Sequence, residues 1–220
     1  MGQLPSEKST SECKPLVPGG IIHAERHAPC FDVVVIGASA GGPKALYSLI
    51  SQLPENFPAA IIIVQHMPAG NYTGDFAKRL NAASKILVRE AVHRDIVKPG
   101  IALIVPGGKQ LTVNRTFGRY YINIHDSYDL LYNPSIDVTM RSVSVACGKK
   151  ALGILLTGMG NDGALGMKII KSSLGRTLAE SEETCMIYSM PKAAVNLGVV
   201  DKIVPLNKMA QVILSEVLPI

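Results

Sequence analysis

The stretch Asp32-Val33-Val34-Val35-Ile36-Gly37-Ala38-Ser39-Ala40-Gly41-Gly42-Pro43 passes directly from a β-branched apolar run to a glycine-rich turn, and then to a proline suited to the first turn of a helix. The run does not alternate polar with apolar, so it predicts a strand over Asp32 to Ile36 that is covered on both faces. A helix is expected from Pro43 to about Leu53. Ala60-Ile61-Ile62-Ile63-Val64 repeats the buried-strand pattern and leads to a helix from about Tyr72 to Ala83. Ile86 to Val88, Ile101 to Val105 and Leu152 to Leu156 read as further strands, with short ones near Thr177 and Ile203. Leu111 to Ile124 alternates as a hairpin would, turning at Gly118. Helices are expected from Ser135 to Cys147 with Ser135 as cap, from about Gly163 to Ser173, after Pro191, and from about Asn207 to Val217. Apolar strands alternating with helices define an α/β fold: a doubly wound, mostly parallel sheet with helices on both faces and a β-hairpin insertion.

The chain has 220 residues, 47% hydrophobic and 18% charged, enough to bury one substantial core. Residues 1–31 differ from the rest. They carry Pro5, Pro15, Pro18, Gly19, Gly20 and Pro29 without periodicity and read as a flexible tail, leaving 32–220 as a single catalytic domain. The tail's apolar patches, Leu16-Val17 and Ile21-Ile22, are too short for a signal peptide, and no run approaches the roughly 20 apolar residues of a membrane span. Membrane insertion is therefore not expected. Cys13, Cys30, Cys147 and Cys185 are scattered, which argues against a disulfide framework or a cysteine-rich zinc site and fits a reducing cytoplasm. His23, His27 and Cys30 have a superficially metal-like spacing, but a proline-rich tail makes a poor site. The net charge of +5 comes from dispersed Lys and Arg, with no basic block interleaved with aromatics, so nucleic acid is not an expected partner.

Three strand ends each carry one reactive side chain. Ser39 follows Ile36, His66 follows Val64, and Asp162 lies in Leu156-Thr157-Gly158-Met159-Gly160-Asn161-Asp162-Gly163. In a parallel sheet all three fall on the rim where ligands bind, beyond the carboxyl ends of the strands. A serine hydroxyl is a weak nucleophile and needs an imidazole to take its proton and a carboxylate to orient that imidazole. Gly37-Ala38-Ser39-Ala40-Gly41 matches the G-x-S-x-G nucleophile turn, but the order Ser, His, Asp differs from the Ser, Asp, His of α/β-hydrolases. The other readings are plainer. The glycines could form a dinucleotide turn, although Ser39 would crowd a pyrophosphate; His66 could close a strand, and Asp162 could cap a helix.

Six motifs in order make the chain resemble the catalytic domain of the chemotaxis protein-glutamate methylesterases: Gly-Ala-Ser-Ala-Gly-Gly-Pro at 37–43, Val-Gln-His-Met-Pro at 64–68, Val-Pro-Gly-Gly at 105–108, Asn-Pro-Ser-Ile-Asp at 133–137, the aspartate loop at 156–164, and Met-Pro-Lys-Ala-Ala at 190–194. The resemblance implies Ser39 as nucleophile, His66 as general base, Asp162 as the orienting acid and Met159 N–H as oxyanion donor. Ala40 and Gly41 are placed beside it in the substrate loop. It further implies methylated chemoreceptor cytoplasmic helices as partner, hydrolysis of glutamate γ-methyl esters, deamidation of receptor glutamines, and no metal or organic cofactor. A non-catalytic receptor-binding or scaffolding module with this fold is the alternative. Several positions depart from the family's usual form: Ala40 replaces a threonine, Glu180-Ser181 a Gln-Asp pair, and Ser189 a glycine. Lys109-Gln110-Leu111 differs from a frequent form containing histidine and methionine. Typical members also carry an N-terminal receiver domain of roughly 120 residues, more than the 31 residues here can hold, so phosphorylation control within the chain is not expected.

Overall fold

β1 (Val33–Ala38) is buried along its whole length and lies between two parallel neighbours, β2 (Ala60–Gln65) and β8 (Ala151–Leu155). Val33 is in register with both Ala60 and Ala151. The computed structural model describes residues 31–126 and 130–218. Beyond β2 the sheet continues through β5 (Ile101–Ile104) to β3 (Leu87–Glu90), and beyond β8 through β9 (Arg176–Glu180) to β10 (Lys202–Val204). All seven strands run parallel. The chain builds outward from β1 in one direction first and later adds β8 on its other side. The junction of β1 and β8 is thus a topological switch point, where a parallel sheet opens a crevice at its carboxyl edge.

Alternate residues of each central strand serve opposite layers, as a side-chain period of two requires. Val34, Ile36, Ile61, Ile63 and Ile154 pack with α1 (Gly42–Ile50), α2 (Tyr72–Ala82) and α6 (Leu206–Val217). Val33, Val35, Ile62, Val64 and Leu155 pack with α3 (Ile136–Cys147), α4 (Ala164–Ser172) and α5 (Ser189–Asn196). On this second side lies a small antiparallel sheet in the order β4 (Ile96–Val97), β7 (Arg119–Asp126), β6 (Lys109–Thr116). β6 and β7 form the expected hairpin with Gly118 in its turn at φ 75°. Ser135 caps α3, its side chain accepting from Val138 N–H at 3.4 Å.

Three local expectations need adjustment. β1 does not end at Gly37 but runs on to Ala38, because Gly37 still pairs with Val64 and Leu155. α5 begins at Ser189, ahead of Pro191, which therefore occupies the first turn, where its missing N–H costs nothing. Phe31, counted with the tail, is only 7% exposed and belongs to the core against α1 and α6. The tail reading for residues 1–30, including the His23, His27 and Cys30 spacing, lies outside the described residues. Among the described residues, no helix is long and apolar enough to cross a membrane.

Candidate active site

Ser39 sits where the backbone leaves β1 and turns sharply into α1. Its N–H donates to Thr157 O at 3.0 Å, and its carbonyl accepts from Gly42 N–H at 2.8 Å and from Gln65 Nε2 at 2.9 Å. Gly41 makes the turn at φ 81°, a left-handed conformation that a side chain would strain. The loop after β8 runs against this turn: a Cβ at Gly158 would lie 2.8 Å from that of Ser39. Met159, next in that loop, is 70% exposed, and neither its N–H nor that of Ala40 has a hydrogen-bond partner among the described residues.

His66 leaves β2 beside them, its N–H held by Ala38 O at 3.0 Å. Its ring Nε2 lies 2.8 Å from Asp162 Oδ2, with only 13% of the histidine side chain and 3% of the aspartate side chain exposed. A neutral imidazole that donates from Nε2 keeps its lone pair on Nδ1, so Nδ1 is the nitrogen able to accept a proton. Tyr132 fixes the plane of the ring by stacking on it, centroids 4.6 Å apart and planes within 9°. Ser39 Oγ makes no hydrogen bond among the described residues, so the structure brings His66 and Asp162 into contact and leaves the serine arm open. Catalytic hydrogen bonds are often longer before substrate binds.

Asp162 is 4% exposed and stands at the amino end of α3. Its Oδ1 accepts from Ser135 Oγ and Asp137 N–H, both at 3.0 Å, and its Oδ2 accepts from Ile136 N–H at 2.7 Å as well as from His66. Burial pushes this carboxyl up, but the His66 hydrogen bond and the helix N–H donors outweigh it and hold the group below the ordinary carboxylate range. A carboxyl lowered by folding contributes stability that is complete above its unfolded value of about 3.9 and is lost as pH falls through the folded value. Asp162→Asn is therefore expected to lose less stability than wild type on acidification from about pH 5 to pH 2, read from denaturant midpoints. Equal acid sensitivity of the two proteins would contradict this reading of Asp162.

A cleft of about 350 Å3 opens beside the serine turn, lined by Gly41, Lys44, Thr157, Glu180, Cys185 and Met186 among others. Neither this cleft nor a larger groove of about 720 Å3 between α1 and α2, lined by Pro43, Tyr47 and Phe76, is lined by Ser39, His66 or Asp162. Cys185 is the one cysteine that lines the smaller cleft. Burial first, then the adjacent Glu180 carboxylate, push its thiol up to about 12, so it is protonated at neutral pH. Cys185→Ala should keep turnover within a factor of about three, because a protonated thiol is no nucleophile. A loss of about a hundredfold in steady-state rate would reassign the chemistry to sulfur. Among the described residues, no group of three or more His, Cys, Asp or Glu side chains could hold a metal ion.

Several supporting residues escape a reading of sequence. Gln65 is buried and donates to Ser39 O at 2.9 Å and to His66 O at 3.0 Å, tying the two turns together; its place in the motif at 64–68 marked it without revealing this role. Thr157 Oγ1 donates to Ala40 O at 3.0 Å, while Thr157 N–H is held by the fully buried Glu180 at 2.8 Å. Tyr132 gave no signal beyond its place beside Asn133-Pro134-Ser135.

A serine, a histidine and a carboxylate on the switch-point rim of a doubly wound sheet mark an α/β protein that carries the residue types acyl transfer uses. The chain belongs to the CheB methylesterase family, whose model matches residues 34–213. It is 49% identical over 185 residues to protein-glutamate methylesterase/protein-glutamine glutaminase 2 of Nitratidesulfovibrio vulgaris, covering 84% of this chain and 50% of that one. It is 44% identical over 199 residues to protein-glutamate methylesterase/protein-glutamine glutaminase 1 of Oleidesulfovibrio alaskensis, covering 90% and 54%. The crystal structure of the Thermotoga maritima CheB methylesterase catalytic domain superimposes with a TM-score of 0.82 at 36% identity, covering 85% of this chain and 99% of that one. The chain spans about half the length of the curated relatives it matches.

Proposed function

We propose that this chain hydrolyses glutamate γ-methyl esters on the cytoplasmic helices of chemoreceptors, releasing methanol, and that the same site deamidates receptor glutamines. The observation that carries this reading is the 2.8 Å contact between His66 and Asp162 beside the Ser39 turn, within a chain of the methylesterase family. Ser39 Oγ attacks the side-chain carbonyl carbon while His66 Nδ1 takes its proton, and Asp162 steadies the imidazolium through Nε2–H. The carbonyl oxygen becomes an oxyanion, met by the N–H groups of Met159 and Ala40; removing one such donor typically costs about 10² to 10³ in rate. The intermediate expels methoxide, which leaves as methanol once His66 returns the proton. Water, activated by the same histidine, cleaves the acyl-serine ester, freeing the carboxylate and restoring Ser39. A glutamine carboxamide follows the same route with ammonia as leaving group.

Methanol release from methylated receptor membranes tests this directly. The wild-type chain is expected to release methanol catalytically. Binding of the receptor without methanol release would overturn the enzyme reading in favour of a scaffolding role.

A further inference from the structure

The residues that hold His66 and Asp162 include a loop that overlaps the motif at 133–137 and that this chain ties down with one buried side chain outside the six motifs. Gln110, 5% exposed at the start of β6, donates from Nε2 to Tyr132 O at 2.8 Å and to Asn133 Oδ1 at 2.7 Å. Its Oε1 accepts from Ser135 N–H at 2.9 Å. One amide thus binds both ends of the segment from Tyr132 to Ser135. That segment presents two groups to the site. The Tyr132 ring lies flat on the His66 ring, and Ser135 Oγ donates to Asp162 Oδ1 at 3.0 Å.

We infer that Gln110 and Tyr132 are positioning residues: Gln110 clamps the 132–135 loop so that the Tyr132 ring and the Ser135 hydroxyl fix His66 and Asp162 in the geometry for proton transfer. This rests on the reading of His66 as the base. An imidazole held at Nε2 alone can rotate about that hydrogen bond and about its own side-chain torsions, which swings Nδ1 away from Ser39. A ring stacked at 4.6 Å and within 9° of parallel removes that freedom, leaving in-plane motion only. The stack is useful only if the loop carrying it does not move, and the three bonds of the buried Gln110 side chain supply that anchor. Gly108 N–H adds a fourth tie, to Asn133 O at 3.1 Å. Gln110 lies in the stretch where the chain departs from the family's frequent form, so the clamp is read from this molecule's own contacts.

The test combines proton NMR of the resting protein with steady-state kinetics. The Nε2–H of His66, shielded and bonded to Asp162, should give a resolved low-field resonance in wild type. In Gln110→Ala and in Tyr132→Ala that resonance should broaden into exchange with water. kcat should fall about a hundredfold, the scale expected for misplacing a reacting group by about 1 Å, while KM changes less than about threefold. Tyr132→Phe, which keeps the ring, should restore both the resonance and the rate lost in Tyr132→Ala. Tyr132 is half-buried on a loop, so its variants serve even if Gln110→Ala does not fold. A wild-type resonance and kcat in Tyr132→Ala would overturn the inference. So would a wild-type resonance with a reduced kcat, since the loop would then be acting on substrate and not on His66. The resonance needs no substrate, so a failure of the esterase reading would show separately, as absent turnover in wild type.

Discussion

Ser39→Ala is expected to lower methanol release by at least about 10³-fold while leaving the circular dichroism spectrum and denaturant midpoint unchanged, because on the proposed mechanism it removes the atom that forms the covalent bond. The fold should tolerate it well. Ser39 holds its place through backbone bonds, N–H to Thr157 O and carbonyl to Gln65 Nε2 and Gly42 N–H, and its Oγ bonds nothing among the described residues. No buried partner is stranded by the loss of the hydroxyl. Residual turnover would come from binding and the oxyanion donors acting on a water molecule. A variant within tenfold of wild type would rule out the serine as nucleophile.

His66→Ala should cost about as much, and the double variant with Ser39→Ala should be no worse than either single one. On the proposed mechanism the serine and its base act as a unit, so once one is gone the other contributes nothing further. This non-additivity separates a shared chemical step from two independent binding contacts, whose effects would multiply. His66→Ala also leaves Asp162 without its ring partner but still bonded to Ser135 Oγ, Ile136 N–H and Asp137 N–H, so the carboxylate stays satisfied at the head of α3. Asp162→Asn should be milder than either, since nucleophile and base survive. Multiplicative losses in the double variant would contradict the shared step.

How much of this was legible beforehand follows from how local each signal is. The central strands announce themselves because Val33-Val34-Val35-Ile36 and Ile61-Ile62-Ile63-Val64 must fill both faces of the sheet, and the parallel arrangement then brings the loops bearing Ser39, His66 and Asp162 to one edge. β4 was not legible: Ile96-Val97 is too short for a pattern and becomes a strand only by pairing with Tyr120 and Tyr121. The roles of Ser39, His66 and Asp162 were read from residue chemistry at the three strand ends and from motif resemblance, whereas the contact between His66 and Asp162 is a fact of geometry alone. Ser135 was readable as a helix cap, yet its hydroxyl also serves Asp162, because the aspartate approaches the same helix end from a loop far along the chain. The roles of Gln110 and Tyr132 were invisible, since the Gln110 bonds join residues 22 to 25 positions apart and Tyr132 meets His66 across a far longer stretch of chain, with no periodicity to mark either.

The central claim is that an acyl group passes through Ser39. It can be measured by giving the protein a receptor peptide carrying the same glutamate as its γ-methyl or its γ-ethyl ester, with hydroxylamine competing against water. Both esters would form one acyl-enzyme, so the ratio of hydroxamate to carboxylate product must be identical for the two alcohols at each hydroxylamine concentration. A ratio that changes with the leaving alcohol would mean that water and hydroxylamine attack the ester directly, and the covalent route through Ser39 would be wrong.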